Sequence, residues 1–388
     1  NTAALPPGPS PAGRGELRFR RFKLSCDFLA LANAGIQGLS PYQAGKPIDE
    51  LQRELGLSDI VKLASNENPL GPSAAVLAAC EKAARDITRY PDANGFELKR
   101  AIAEKCNLQP DQLTLGCGSN DVLDLIARVF LNPHSSSVFS QYGFVVYPIA
   151  TQACGARAIV TPAKDWGHDL TAMAAAIADD TRVVFIANPN NPTGTWLDKT
   201  ELLQFLRGVR SDVVVVLDEA YTEYVDSPDF PNGLELLGEF PNLIVTRTFS
   251  KAYGLAALRV GYAASSAQIA DLLNRVRAPF NINSLGLAAA VAALHDENYL
   301  RRSRSMNAQG MQQIIDGLKK HALNYIPSAG NFITVEMPAP ALPIYQKLLH
   351  EGVIVRPLAP YQMPNHLRIS IGLPHENEKF LTALPKVL

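Results

Sequence analysis

Apolar residues recur along this chain in two rhythms. Short unbroken runs such as Val183-Val184-Phe185-Ile186-Ala187 and Val213-Val214-Val215-Val216-Leu217 leave no polar face, so they read as strands buried on both sides. Between most of them lie stretches with apolar spacings of three and four, the period of a helix with one buried stripe. Helical patterns cover 74–86 and 95–105, and another runs through about 131 from the Gly-rich turn near 118. Strand-like segments fall at 113–115, 137–140, 157–161, 182–187, 212–217, 243–248 and 258–264. This alternation predicts an α/β fold with a mostly parallel seven-stranded sheet covered by helices on both faces.

After Pro279 the rhythm changes. Helical patterns over 284–295 and 299–323 precede short strands at 332–336, 353–357 and 366–370, which predicts a smaller α+β domain. We expect an N-terminal arm over 25–67 that packs with the small domain, a large domain over 68–280, and the small domain over 281–388. Residues 1–24 hold Pro6, Pro7, Pro9 and Pro11, then Arg18, Arg20, Arg21 and Lys23. They have neither the apolar core of a secretory signal nor a folding pattern. A disordered extension outside the fold is expected there, read as sequence upstream of the natural start, with an Arg-rich transit peptide as the alternative.

Composition narrows the function classes. The 36 basic and 37 acidic side chains nearly balance, whereas binding to a phosphate backbone needs a concentrated basic surface. No apolar run reaches membrane-span length. Five scattered cysteines, Cys26, Cys80, Cys106, Cys117 and Cys154, show no CxxC or Cys/His spacing, and the seven histidines do not cluster. The expectation is a cytoplasmic enzyme with reduced thiols, no bound metal, and small-molecule substrates rather than nucleic acid or membrane.

Candidate chemistry sits where strand patterns end, the edge at which open α/β sheets bind ligands. Lys251 follows Leu243-Ile244-Val245 among small and hydroxylated residues, with Arg259 eight positions on. A lysine desolvated beside another cation is disfavoured as an ammonium, which frees its amine to form a Schiff base. Thr248, Ser250 and Arg259 suit a bound phosphate. An aldehyde that carries a phosphate is pyridoxal 5'-phosphate. Gly116-Cys117-Gly118-Ser119-Asn120-Asp121 lies at a strand-to-helix junction, where backbone N–H groups can face an anion; a helix start capped by Ser119 or Asn120 is the plainer reading. Asn188-Pro189-Asn190-Asn191-Pro192-Thr193-Gly194 is a stiff turn that holds its amides in place. Asp218-Glu219-Ala220-Tyr221 puts a carboxylate after five apolar residues, suited to a pyridine nitrogen, although a helix N-cap would also use Asp218.

Together these motifs resemble the fold-type I aminotransferases that depend on pyridoxal phosphate, and most closely the histidinol-phosphate aminotransferase family. The likeness runs over nearly all of the chain after about Leu39. It includes Ser40-Pro41-Tyr42-Gln43-Ala44-Gly45-Lys46-Pro47, the LASNENPLGP block at 63–72, Arg89-Tyr90-Pro91-Asp92, the lysine block at 247–259 and Leu367-Arg368-Ile369-Ser370-Ile371-Gly372. The resemblance implies that Lys251 holds the cofactor and moves the substrate α-proton. It implies that Asp218 pairs with the pyridine nitrogen, that Asn191 and Tyr221 bond the ring hydroxyl, and that Tyr142 stacks on the ring. Gly118, Ser119, Asn120, Ser250 and Arg259 would hold the cofactor phosphate, with Tyr90 reaching the phosphate of a partner subunit in a homodimer. Arg368 would bind a carboxylate, Arg356 and Tyr42 the substrate phosphate, and Asn331 would be an active-site asparagine. Asn120 stands where many relatives carry an acidic residue, and residues 1–24 have no recognised counterpart.

The implied reaction is transamination between histidinol phosphate and 2-oxoglutarate. An aromatic amino acid aminotransferase and a threonine-phosphate decarboxylase remain as alternatives within the class. A cofactor-binding sensor domain of a transcription regulator would need a DNA-binding module that 1–24 do not supply. A cofactor-free binding protein would leave Lys251, Asp218 and Asn191 without a shared purpose. Lys46 and Arg247 are left out as phosphate ligands, and His366 is read as a packed or solvent-facing histidine.

Overall fold

The computed structural model describes residues 26–41 and 45–388. The 1–24 segment and Tyr42 lie outside the described residues. Seven strands form the large sheet: β1 (Leu113–Gly116), β2 (Ser136–Ser140), β3 (Arg157–Thr161), β4 (Thr181–Ala187), β5 (Val214–Asp218), β6 (Leu243–Thr248) and β7 (Gly261–Ala264). Their order is β1-β7-β6-β5-β4-β2-β3. All neighbours from β6 to β3 run parallel, while β7 is antiparallel to both β1 and β6.

The unbroken apolar runs serve two cores at once, because successive strand residues face opposite sides. Val184, Ile186, Val215, Leu217 and Val245 point into one core. Val183, Phe185, Val214, Val216 and Ile244 point into the other. Each such fully buried side chain contributes about 1.5–3 kcal/mol from removal of apolar surface from water.

A second, antiparallel sheet is built from β8 (Tyr325–Ile326), β9 (Phe332–Glu336), β10 (Arg356–Leu358) and β11 (Met363–Ser370), in the order β8-β9-β11-β10. It shares a core with helices Glu297–Lys320, Ala341–His350 and Pro374–Val387. The strand Val61–Lys62 pairs in parallel with Val353–Ile354, and Val61 and Leu63 enter that same core. Helix Ser284–His295, expected in the smaller domain, packs instead on helices Ala74–Ala84 and Phe96–Cys106. Its Ala289, Ala290, Ala293 and Leu294 belong to the core of the large sheet. An Ala-rich helix has little side-chain bulk to fix its partner in the sequence, and here the close approach is to the large unit, past the boundary expected at 281. Among the described residues no helix is long and apolar enough to cross a membrane.

Candidate active site

A cavity opens at the carboxyl ends of the parallel strands and extends to the edge of the second sheet. The end of β5 supplies its floor. Asp218 is 4% exposed and accepts hydrogen bonds from Thr246 Oγ1 (2.8 Å to Oδ1) and Tyr147 Oη (2.9 Å to Oδ2). Both donors are neutral. Burial therefore prevails over them and pushes the Asp218 carboxyl up to about 6. A cation set against this carboxylate would recover much of the lost solvation. Asp218 is the last residue of a strand rather than a helix cap.

Lys251 follows β6 and lines the cavity, with Nζ donating to the Ser65 carbonyl at 3.1 Å. Burial, and after it the positive charge of Arg368, brings its ammonium down to about 7. The amine lies 5.7 Å from the centre of the Tyr221 ring. That ring packs edge-on against Phe332, and burial raises the Tyr221 phenol to about 12.

One end of the cavity is built for an anion. Helix Ser119–Phe130 starts there with Gly118 as its N-cap and no side-chain cap, contrary to a start capped by Ser119 or Asn120. Its first-turn N–H groups are thus open to a ligand, and the helix dipole favours negative charge at that point. Ser119, Asn120, Thr248, Ser250 and Arg259 line this end. Arg259 Nη1 donates to Ser250 Oγ (3.2 Å) and the Ala256 carbonyl (2.9 Å), and no ion pair joins it to a carboxylate among the described residues. Gly118 does not line the cavity. Its φ is +83°, and a Cβ there would sit 2.3 Å from Arg259 Nη2, so glycine is what lets the guanidinium close over the helix start. Gly261 plays a matching part in β7, since a Cβ on it would lie 2.4 Å from the Ser119 nitrogen.

The second sheet supplies two further cations. Arg356 and Arg368 are opposite one another in the β10–β11 ladder, so they share a face and both line the cavity. Arg368 Nη1 donates to Asn191 Oδ1 at 2.5 Å and Nη2 to the Ala64 carbonyl at 2.8 Å. The Asn/Pro turn holds Asn191 in place. Asn188 bonds Leu197 in both directions, and Asn190 Nδ2 donates to the Tyr142 carbonyl and to Thr193 Oγ1.

Lys251, Asp218, Tyr221, Ser119, Asn120, Asn191, Ser250, Arg259, Arg356 and Arg368 thus meet at one cavity, as expected. Besides Gly118, three expected residues do not. Tyr142 turns away, because a tight turn (Gly143 N–H to the Ser140 carbonyl, 2.8 Å) reverses the chain after β2. Its ring packs toward Ile326, Leu358 and Met363 and lies 5.3 Å from Trp166, while Phe144 takes its place in the cavity wall. Asn331 stands one layer back, with Nδ2 donating to the Asn66 carbonyl at 3.0 Å. Tyr90 is 82% exposed and stacked on Phe280 at 4.6 Å, outside this cavity.

Sequence reasoning missed Phe144, Tyr147, Thr246, Asn66 and Tyr361. Thr246 had a signal, since it is the register partner of Asp218 across β5 and β6. The excluded cations are accounted for: Arg247 is bound to buried Glu219 at 2.7 Å, and Lys46 to Glu50 and Glu54. Among the described residues no group of His, Cys, Asp or Glu is arranged to hold a metal ion.

An amine, a buried carboxylate bonded to neutral donors, and an uncapped helix start beside an arginine that has no carboxylate partner among the described residues fit the aldehyde, ring nitrogen and phosphate of pyridoxal phosphate. Comparison with known proteins agrees with that fit. The model of the family "Aminotransferase class I and II" matches residues 58–384. A histidinol-phosphate aminotransferase 2 of Pseudomonas fluorescens is 62% identical over 94% of this chain and 99% of its own length. One from Pseudomonas aeruginosa is 60% identical over 93% and 99%. The crystal structure of histidinol-phosphate aminotransferase from Sinorhizobium meliloti, in complex with pyridoxal-5'-phosphate, superposes with a TM-score of 0.84 at 31% identity, covering 96% of this chain and 99% of that one.

Proposed function

The chain belongs to the class I and II aminotransferase family, and we propose that it catalyses transamination between L-histidinol phosphate and 2-oxoglutarate with pyridoxal phosphate as cofactor, in histidine biosynthesis. The observation that carries this reading is the separation of cations within one cavity. Arg259 and the helix start lie at one end, and the Arg356–Arg368 pair lies on the second sheet. One anionic site suffices for the cofactor. A second, with two guanidiniums side by side, calls for a substrate that is itself strongly anionic, and planar guanidinium forks suit both phosphate and carboxylate. Histidinol phosphate brings a phosphate, whereas glutamate and 2-oxoglutarate bring carboxylates, so the same pair serves both half-reactions.

When bound, pyridoxal phosphate supplies a carbonyl that captures the substrate amine and a ring that spreads the charge left by the departing α-proton. The chain does the rest. Asp218 holds a proton on the ring nitrogen by its negative charge at the buried floor. Asn191 and Tyr221 would offer an amide and a phenol to the ring hydroxyl, and Phe144, which lines the cavity in place of Tyr142, would flank the ring. Lys251, whose pKa near 7 leaves a large neutral fraction at physiological pH, would take the substrate α-proton and return it.

A single half-reaction tests the substrate. Histidinol phosphate alone, without a keto acid, should rapidly convert the bound cofactor to its amine form, seen as loss of the carbonyl-form absorbance. Phenylalanine offered in parallel should do so far more slowly. The reverse preference would move the substrate to aromatic amino acids, and no visible band even with added cofactor would overturn the reading altogether.

We assign the active protein a homodimer. Ile87, Tyr90, Phe96 and Phe280 are large apolar side chains exposed on one protomer, with Tyr90 and Phe280 stacked on each other. Exposed aromatic clusters of this kind mark interfaces, and Tyr90 would extend to the partner's cofactor phosphate. Sedimentation should give about twice the 42.0 kDa chain mass, and Tyr90→Ala should weaken cofactor retention. A monomer that retains its cofactor fully would refute this assignment. A cytoplasmic location fits five free cysteines, and cell fractionation checks it.

A further inference from the structure

Asn66 links Ser370 of the second sheet to the hydroxyl of Tyr221 through hydrogen bonds. Its backbone is left-handed (φ +54°) and the residue is 1% exposed. Ser370, at the end of β11, accepts from the Asn66 backbone N–H (2.7 Å) and donates to Asn66 Oδ1 (3.1 Å). Asn331 donates to the Asn66 carbonyl at 3.0 Å. With Oδ1 engaged by Ser370, the amide is oriented so that Nδ2 donates to Tyr221 Oη, at 2.9 Å.

A phenol oxygen that accepts an amide N–H must aim its own proton elsewhere, and Tyr221 lines the cavity. We propose that Asn66 is a positioning residue for the transamination reaction: by donating to the Tyr221 oxygen it turns the phenol proton toward the cofactor's ring hydroxyl and makes that phenol a stronger donor. Ser370 of the second sheet holds the amide in the orientation that does this, while Asn331, just before β9, anchors the Asn66 backbone carbonyl. The proton arrangement needs no covalent step. It rests on the transaminase reading for the identity of the acceptor, while the Asn66–Tyr221 contact does not depend on that reading.

The test uses the dimeric holoenzyme and two variants. Asn66→Gly removes the amide and tolerates the left-handed backbone without strain. Asn66→Asp keeps the shape and the bond from Ser370 but presents only acceptors to the phenol, which draws the Tyr221 proton away from the cavity. A ring hydroxyl that loses a donor holds its own proton more firmly, so the pH at which the bound cofactor's visible absorbance changes should rise. The expected rise is about half a unit in Asn66→Gly and more in Asn66→Asp, the size of one lost hydrogen bond to an ionisable group. On a Tyr221→Phe background the same Asn66 substitutions should shift the titration by nothing further, because the hydroxyl they act through is gone. Unfolding of the cofactor-free protein gives the independent readout: the Asn66→Gly and Tyr221→Phe effects on the midpoint should be non-additive. A titration unchanged in both Asn66 variants overturns the proposal even if they unfold earlier, as does an equal shift with and without the Tyr221 hydroxyl. If the unsubstituted protein shows no cofactor band at all, the transaminase reading falls, while the non-additive unfolding still decides the contact.

Discussion

Lys251→Ala is expected to lose essentially all turnover while the protein still folds. Two roles are removed together: the covalent hold on the cofactor, and the base that moves the substrate α-proton. Positioned proton transfer alone is worth about 10²–10⁴-fold, and the loss of the attacking amine adds to this. The folding cost is small, because the amine has one hydrogen bond, to the Ser65 carbonyl, and burial already holds its pKa down to about 7. The pH dependence has a definite sign. With a pKa brought down to about 7, the amine of the cofactor-free protein passes from mostly protonated to mostly neutral between pH 6 and 8. Only the neutral form attacks a carbonyl, so cofactor capture should accelerate from pH 6 to 8 with a midpoint near 7. Stopped-flow absorbance measures this directly. Turnover retained by Lys251→Ala, or a midpoint near that of an ordinary lysine, would remove Lys251 from its role.

Asp218→Asn should separate activity from stability. Turnover is expected to fall by about 10²–10⁴-fold, since a neutral amide cannot hold a proton on the ring nitrogen. The cofactor-free protein, by contrast, should be no less stable at pH 8. Asp218 has a folded-state pKa raised from 3.8 to about 6, so the folded protein binds this proton more tightly than the unfolded chain does. Its stabilising effect is complete below about pH 4 and is lost as pH rises through 6, after which the buried charge costs up to about 3 kcal/mol relative to low pH. Asparagine carries no such penalty, although it cannot accept from both Thr246 and Tyr147, and that offsets part of the gain. Thermal unfolding of both proteins at pH 5 and pH 8 decides the matter. A lower midpoint for Asp218→Asn at pH 8 would mean that the carboxylate is a structural partner first.

Much of this site was legible because its residues sit at strand ends, and strand ends are marked by where an apolar run stops. Asp218 closes β5 and Lys251 follows β6, each after a run that has to be buried. Local spacing carried less where the chain turns sharply. Tyr142 and Phe144 are two residues apart, and the turn at Ser140–Gly143 decides which of them faces the cavity, a choice that leaves no trace in composition. Tyr147 is invisible for another reason: it reads as a core residue, stacked 4.8 Å from Phe185, and only its hydroxyl reaches Asp218. Asn66 lay within a recognised block, but its role depends on Ser370, 304 positions away. Helix Ser284–His295 was placed correctly along the chain. Its partner was not, since an Ala-rich helix fits against either unit.

Arg368 reaches the Ala64 carbonyl across 304 residues and Asn191 across 177. Contacts of such separation form only after long loops have closed, at an entropic cost that local structure cannot offset beforehand. The catalytic pocket therefore has no local precursor. During synthesis it cannot assemble until the last strand has emerged, and a fragment that lacks β11 keeps the large sheet but loses Arg368 from the cavity.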